Sequence, residues 1–201
     1  MFRTLFKSFR KKKARRLSRI VQYFRTFWYR MLSNCETQGR PVCYQPVLTI
    51  GNGIINFSPD VKVGVNPSPL LYSTYAHIEA RHPGSSISIG SGTWINNGFI
   101  AIAEYSSISI GRNCFIGAAV EILDSDFHGL QVKERAVSKP QWTSPVVIGD
   151  DVFIGSNVKI MKGVHIGNGA VIANSSIVVK DVPAESISGG NPAKIIRMLV
   201  K

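Results

Sequence analysis

The chain has 201 residues, with 24 Lys or Arg against 12 Asp or Glu, for a net charge of +12. That length suits one domain with a sizeable core. Its three cysteines (Cys35, Cys43, Cys114) lack CxxC spacing, which argues against a disulfide framework or a cysteine zinc site and points to a reducing cytoplasm.

The basicity is local. Residues 1–30 hold eleven Lys or Arg and no acid, whereas the remainder carries 13 basic and 12 acidic residues, a balance of +1. Phe2, Leu5, Phe6 and Phe9, then Leu17, Ile20, Val21, Phe24, Trp28 and Met31, recur at helical spacing, so residues 1–33 read as a basic amphipathic helical arm. Arg25 and Arg30 interrupt the second apolar stretch, leaving it too short for a transmembrane span, and no uninterrupted signal-peptide core is visible. Three uses compete. The arm could lie on an anionic membrane surface through residues 1–30, peripheral on the inner face of the cell membrane. Its apolar stripe could instead cap the open end of the structure that follows. Nucleic-acid binding fits the charge alone; no recognised nucleic-acid fold accompanies it, so no such partner is expected.

Residues 34–84 are read as irregular starter coils and a loop. Ile50-Gly51-Asn52-Gly53 and Val63-Gly64 look like the starters, and Pro67 to Pro83 shows no clear pattern and is read as looping out. From residue 85 a period of six appears. Ile89, Ile95 and Ala101 share one register, and Ile110, Ile116 and Ile122 share another, displaced by three residues near Ala103 to Ser107. From Ile148 to Pro183 the pattern is unbroken: IGDDVF, IGSNVK, IMKGVH, IGNGAV, IANSSI, VVKDVP. A period of six is neither helical nor alternating. It is the signature of a parallel β-helix, in which three hexads close one triangular coil and the leading aliphatic residues stack at about 4.8 Å. A sandwich would show period-two alternation instead. The second slot is small (Gly149, Gly155, Gly167, Ala173), as a tight corner requires.

Continuing the register 110, 116, 122 would bury His128 among aliphatic side chains, an expensive placement for an imidazole. The chain is therefore expected to leave the coil after Leu123 and project a loop over 124–145, DSDFHGLQVKERAVSKPQWTSP, before coiling resumes at Val146 or Ile148. His128 then sits on a loop carried by a rigid scaffold, where functional groups are common. Asp124 and Asp126 flank it, and a carboxylate beside imidazole can fix the tautomer of a general base. The plainer alternative is a solvated surface histidine. His165 ends a hexad and reads as an outward corner residue. At the C-terminus Asn191-Pro192 resembles an N-cap and first-turn pair, predicting a short helix over 191–200. Lys180, Lys194 and Arg197 lie in this region, where cations could hold phosphates; solvated surface charge is the alternative.

The run PVVIGDDVFIGSNVKIMKGVHIGNGAVIANSSIVVKDVP followed by GGNPAKIIR resembles the hexapeptide-repeat acyltransferases, most closely the galactoside, maltose and polysaccharide O-acetyltransferases. The likeness covers roughly residues 85–198; residues 1–84 have no counterpart in it. It implies an all-β, left-handed parallel β-helix over 85–201, a homotrimer, and acetyl-CoA bound between subunits. The handedness rests on the resemblance alone, since chain sterics favour right-handed crossovers. It also implies His128 as catalytic base, and Ser156, Asn174, Lys180, Lys194 and Arg197 as CoA contacts. Asn96, Glu104 and Trp142 are assigned to the acceptor. Phe153 stands for a frequent Trp, Val179 for a frequent Thr, and Asn174 for a smaller residue. The γ-class carbonic anhydrases share the β-helix and bind zinc through three histidines. Here His77 and His82 precede His128 in the reverse order, and no metal is expected. The resulting expectation is O-acetylation of a sugar hydroxyl in a cell-surface polysaccharide or lipid-linked glycan precursor. N-acetylation of a nucleotide-linked amino sugar, a soluble sugar or antibiotic acceptor, and a non-enzymatic membrane scaffold are the alternatives.

Overall fold

The computed structural model describes the backbone of residues 2–199 and the side chains of 12–199. Six coils, at residues 36–50, 54–80, 86–103, 107–123, 146–160 and 165–178, each place one short strand in each of three parallel sheets. The sheets form the first, second and third faces of a triangular prism, numbered in the order the chain visits them. Strands pair in the register the hexads predict. Ile89, Ile110, Ile148 and Ile166 stack on the first face; Ile95, Ile116, Ile154 and Ile172 on the second; Ala101, Ile122, Ile160 and Val178 on the third. All are buried, each isoleucine contributing about 1.5–3 kcal/mol. A second inward column, two residues earlier, completes the core: Val152, Val158, Val164, Ala170 and Ser176 are buried as well.

The corners explain the small second slot. A Cβ on Gly149 would lie 2.2 Å from Asn168 Oδ1, and one on Gly155 would lie 2.4 Å from Asn174 Oδ1. Those amide oxygens accept from the backbone N–H groups of Asp150 (2.9 Å) and Ser156 (2.8 Å), so each corner is hydrogen-bonded by the next coil. The three-residue displacement falls at residues 104–106, as expected.

Three expectations are corrected. Residues 34–84 are not an irregular prelude but two full coils: Ile55 and Phe57 pair with Ile87 and Ile89, so no boundary falls at residue 84. The looped segment is shorter than 67–83, because Ala76–Ala80 forms the third-face strand of the second coil. Ala76, Ile78 and Ala80 point inward there; the small alanines conceal the pattern. The predicted helix over 191–200 is a strand. Ser186–Gly190 joins the second face and Ala193–Met198 folds back antiparallel upon it. Gly190, at φ 104°, supplies the reversal, and the open sheet edge suits β-branched Ile195 and Ile196 better than a helix does. Val200, where that helix was to end, lies outside the described residues.

Helix α1 (Phe2–Leu32) matches the expected arm, since no Gly or Pro interrupts residues 1–32. It ends where Ser33 Oγ donates to the Tyr29 carbonyl. The face offered by Phe2, Leu5, Phe6 and Phe9 lies outside the described side chains. For the rest, the cap reading is reversed: α1 meets the β-helix through polar residues. Gln22 Nε2 donates to the Leu71 carbonyl at 2.9 Å, and Arg25 donates to the carbonyls of Leu71 (2.8 Å) and Thr74 (2.6 Å). The expected stripe faces away. No helix among the described residues is long and apolar enough to cross a membrane.

Candidate functional site

After Leu123 the chain leaves the edge between the third and first faces and returns at Val146, as the break in the hexads predicts. Its base is tied down by buried groups. The Asp124 carboxylate accepts from the backbone N–H groups of Glu104 (2.7 Å) and Ser106 (2.8 Å), closing the corner insert. Burial pushes the Asp124 carboxyl above its ordinary pKa, against the opposing pull of those N–H donors. Ser125 Oγ donates to Glu104 and accepts from Phe127 N–H at 2.8 Å. Phe127 then adopts φ 61°, a left-handed conformation costly for a bulky residue, with the Arg81 guanidinium 4.9 Å over its ring. The reversal turns His128 outward.

His128 is exposed, and its Nδ1 lies 2.7 Å from the Arg135 carbonyl oxygen. A carbonyl only accepts, so Nδ1 carries a proton, and in the neutral ring Nε2 is then the nitrogen with the lone pair. The next residue, Gly129, donates to the Glu134 and Val137 carbonyls at 3.2 Å and passes close to the Trp142 indole. Lys139 bridges Glu134 at 2.9 Å and stands 4.9 Å over the Trp142 ring. Lys162 fastens the loop to the prism, donating to Asp126 at 2.6 Å and to the Trp142 carbonyl at 2.7 Å.

Neither acid next to His128 therefore serves it. Asp124 is fully buried and committed to backbone, and Asp126 pairs with Lys162. Glu104, expected at the acceptor, is 2 % exposed and sealed beneath the loop between Ser125 and Arg81. Sequence reasoning does not single out Arg135, Gly129 or Lys162. A signal for Lys162 exists: the third hexad slot is Asp150, Ser156, Asn168 or Asn174 elsewhere, and Lys162 and Lys180 depart from it. Both fall on the edge that carries His128.

The remaining predicted residues lie elsewhere. Asn96, Ser156 and Asn174 occupy the corner that follows the second face, in the third, fifth and sixth coils. Ser156 Oγ accepts from Ala118 N–H at 3.2 Å, and Asn174 Oδ1 is committed to Ser156. Beside them a groove of about 280 Å³ is lined by Val65, Trp94, Asn96, Phe115, Gly117 and Phe153. Trp94, Phe115 and Phe153 form an outward ladder in register along the second face. Lys194 and Arg197 are exposed on the terminal strand at the end of that face. In a triangular prism the second face is opposite the edge that bears His128, so one chain holds two separate sets of candidate groups. His77 pairs with Glu79 at 3.0 Å and His82 stacks on Tyr105 at 4.1 Å. His165 points outward, as expected, but from the first-face strand His165–Ile166 rather than from a corner.

The model for bacterial transferase hexapeptide (six repeats) matches residues 145–180, and that for the hexapeptide repeat of succinyl-transferase matches residues 107–137. A polysialic acid O-acetyltransferase of Escherichia coli O1:K1 is 40% identical over 114 residues, covering 57% of this chain and 37% of that protein. The chain spans 37% and 59% of the lengths of curated relatives it matches. The crystal structure of the polySia-specific acetyltransferase NeuO superimposes with a TM-score of 0.66 at 30% identity, covering 82% of this chain and 72% of that one. A hexapeptide-repeat acetyltransferase of Vibrio cholerae, solved with acetyl coenzyme A, gives 0.57 at 27% identity, covering 94% and 87%. The prism is thus the left-handed parallel β-helix expected from the resemblance.

Proposed function

Because the chain belongs to the hexapeptide-repeat acetyltransferases, we propose that it transfers an acetyl group from acetyl-CoA to a sugar hydroxyl of a cell-surface polysaccharide or lipid-linked glycan precursor. The observation that carries this reading is the His128 ring, oriented by the Arg135 carbonyl with Nε2 left open on a projecting loop. In this reading Nε2 takes the hydroxyl proton as the acceptor oxygen attacks the thioester carbonyl. The C–S bond breaks, the ester forms, and the imidazolium returns the proton to the leaving sulfur. A backbone N–H of an adjoining coil stabilises the oxyanion. No covalent acyl-enzyme is needed.

The separation of candidate groups supports a homotrimer with sites between copies. The His128 edge of one subunit, with Trp142 and Lys180, would face a neighbour's second face and its Asn96, Ser156 and Asn174. The apolar groove by Trp94, Phe115 and Phe153 suits an acyl-pantetheine arm, and the exposed Lys180, Lys194 and Arg197 suit CoA phosphates. The relatives that act on polysialic acid favour a glycan acceptor. A lipid-linked acceptor would place the reaction in the cytoplasm, at the inner face of the membrane.

Acetyl-CoA turnover against sugars, nucleotide-sugars and lipid-linked glycans tests the reading. His128→Ala should lower turnover by about 10²–10⁴ while CoA binding persists. Near-normal turnover in that variant excludes the base role, and absence of CoA binding by the native chain favours the scaffold.

A further inference from the structure

We infer that α1 is a docking surface for anionic lipid, held apolar side outward by a polar clamp. The helix has two stripes. Ser18, Gln22, Arg25 and Tyr29, at i, i+4, i+7 and i+11, face the chain. Tyr72 donates to Ser18 Oγ at 2.5 Å, Gln22 and Arg25 grip the Leu71 and Thr74 carbonyls, and the Tyr29 and Tyr75 rings lie 4.6 Å apart. This clamp fixes the rotation of the helix about its axis.

On the far side Leu17, Ile20, Phe24, Phe27, Trp28 and Met31 form one continuous face, each between 54% and 68% exposed. A helix that merely packed on the prism would bury this stripe and expose Gln22, yet Gln22 is 8% exposed. Contiguous apolar surface of this kind marks a contact with something else.

Charge selects the partner. Lys12, Lys13, Arg15, Arg16 and Arg19 are solvent-facing on α1, and residues 1–30 contain no Asp or Glu. A second copy of α1 would meet like charge, and the prism of another copy offers no acidic excess, its balance being +1. An anionic bilayer supplies both an apolar layer for the aromatic stripe and negative headgroups for the basic flank. The inference stands independently of the role given to His128.

Co-sedimentation of the full chain with vesicles provides the test, comparing phosphatidylcholine alone with phosphatidylcholine containing about one third phosphatidylglycerol. Binding should require the anionic lipid and weaken as salt rises. Phe24→Glu/Trp28→Glu should abolish it, and each of Lys12→Gln and Lys13→Gln should weaken it about fivefold, the equivalent of about 1 kcal/mol per charge. Light scattering should show the same oligomeric mass for the native chain and the Glu variant. Equal sedimentation of the two overturns the inference. So does a fall in the variant's mass, which would assign the stripe to contacts between copies.

Discussion

At His128 a backbone carbonyl, rather than a carboxylate, sets the imidazole, so the ring is only as well placed as the turn that brings Arg135 beneath it. Gly129 makes that turn possible. A Cβ there would lie 2.4 Å from Glu134 Cβ and 2.8 Å from both the Glu134 carbonyl oxygen and the Trp142 ring. Gly129→Ala should therefore displace the imidazole and reduce turnover by about 10- to 100-fold, while thermal unfolding stays near the native value because the coils are untouched. Steady-state kinetics beside a melting curve separates the two effects, and unimpaired turnover would show that the loop adapts. The same residues show what the sequence conveys. His128 stands out because it breaks an aliphatic register. Its partner does not, because a carbonyl seven residues onward carries no side-chain signature, whereas Asp124 and Asp126 are conspicuous and turned away.

Elements were legible in proportion to the regularity of their periods. The hexads from Ile148 onward fixed three strand columns in advance, but the third-face strands of the first two coils turn Thr49, Ala76 and Ala80 inward, and these polar or small residues mask the period around Ile78. The Asn191-Pro192 pair suggests a helix by local chemistry, and the open edge of the second face overrides it. The amphipathic period of α1 likewise gave the helix but not which side would dock. Beyond the buried contacts at the base of the loop over 124–145, one lysine of the prism holds two of its residues. Lys162 bridges Asp126 and Trp142, a partly exposed contact worth about 0–1 kcal/mol to stability. Lys162→Ala should leave the unfolding midpoint almost unmoved yet speed tryptic cleavage at Lys133 or Arg135 several-fold. Unchanged cleavage would mean that the Ser144–Asp124 backbone bond and the Ser125–Thr143 bridge hold the loop without it.

Across the whole molecule, each coil touches only its neighbours, so stability is a sum of nearest-neighbour terms and the ends differ from the middle. This bears on the proposed function because the His128 loop leaves the fourth coil while Lys194 and Arg197, the proposed phosphate contacts, sit beyond the sixth. Two isoleucines allow a like-for-like comparison. Ile154 stacks between Ile116 and Ile172, whereas Ile172 stacks between Ile154 and Ser188; both are fully buried. Replacing either with Ala should cost about 2–5 kcal/mol, the spread depending on how far the surroundings collapse into the space. The interior site is braced by coils on both sides and collapses least, so Ile154→Ala should have the lower urea midpoint. At Ile172 the terminal hairpin can shift inward, and it carries Lys194 and Arg197 with it. That variant should lose CoA affinity out of proportion to its loss of stability, a difference titration calorimetry resolves. A reversed order of midpoints would mean that the hairpin of Ser186–Gly190 and Ala193–Met198 is packed more rigidly than the coils it closes.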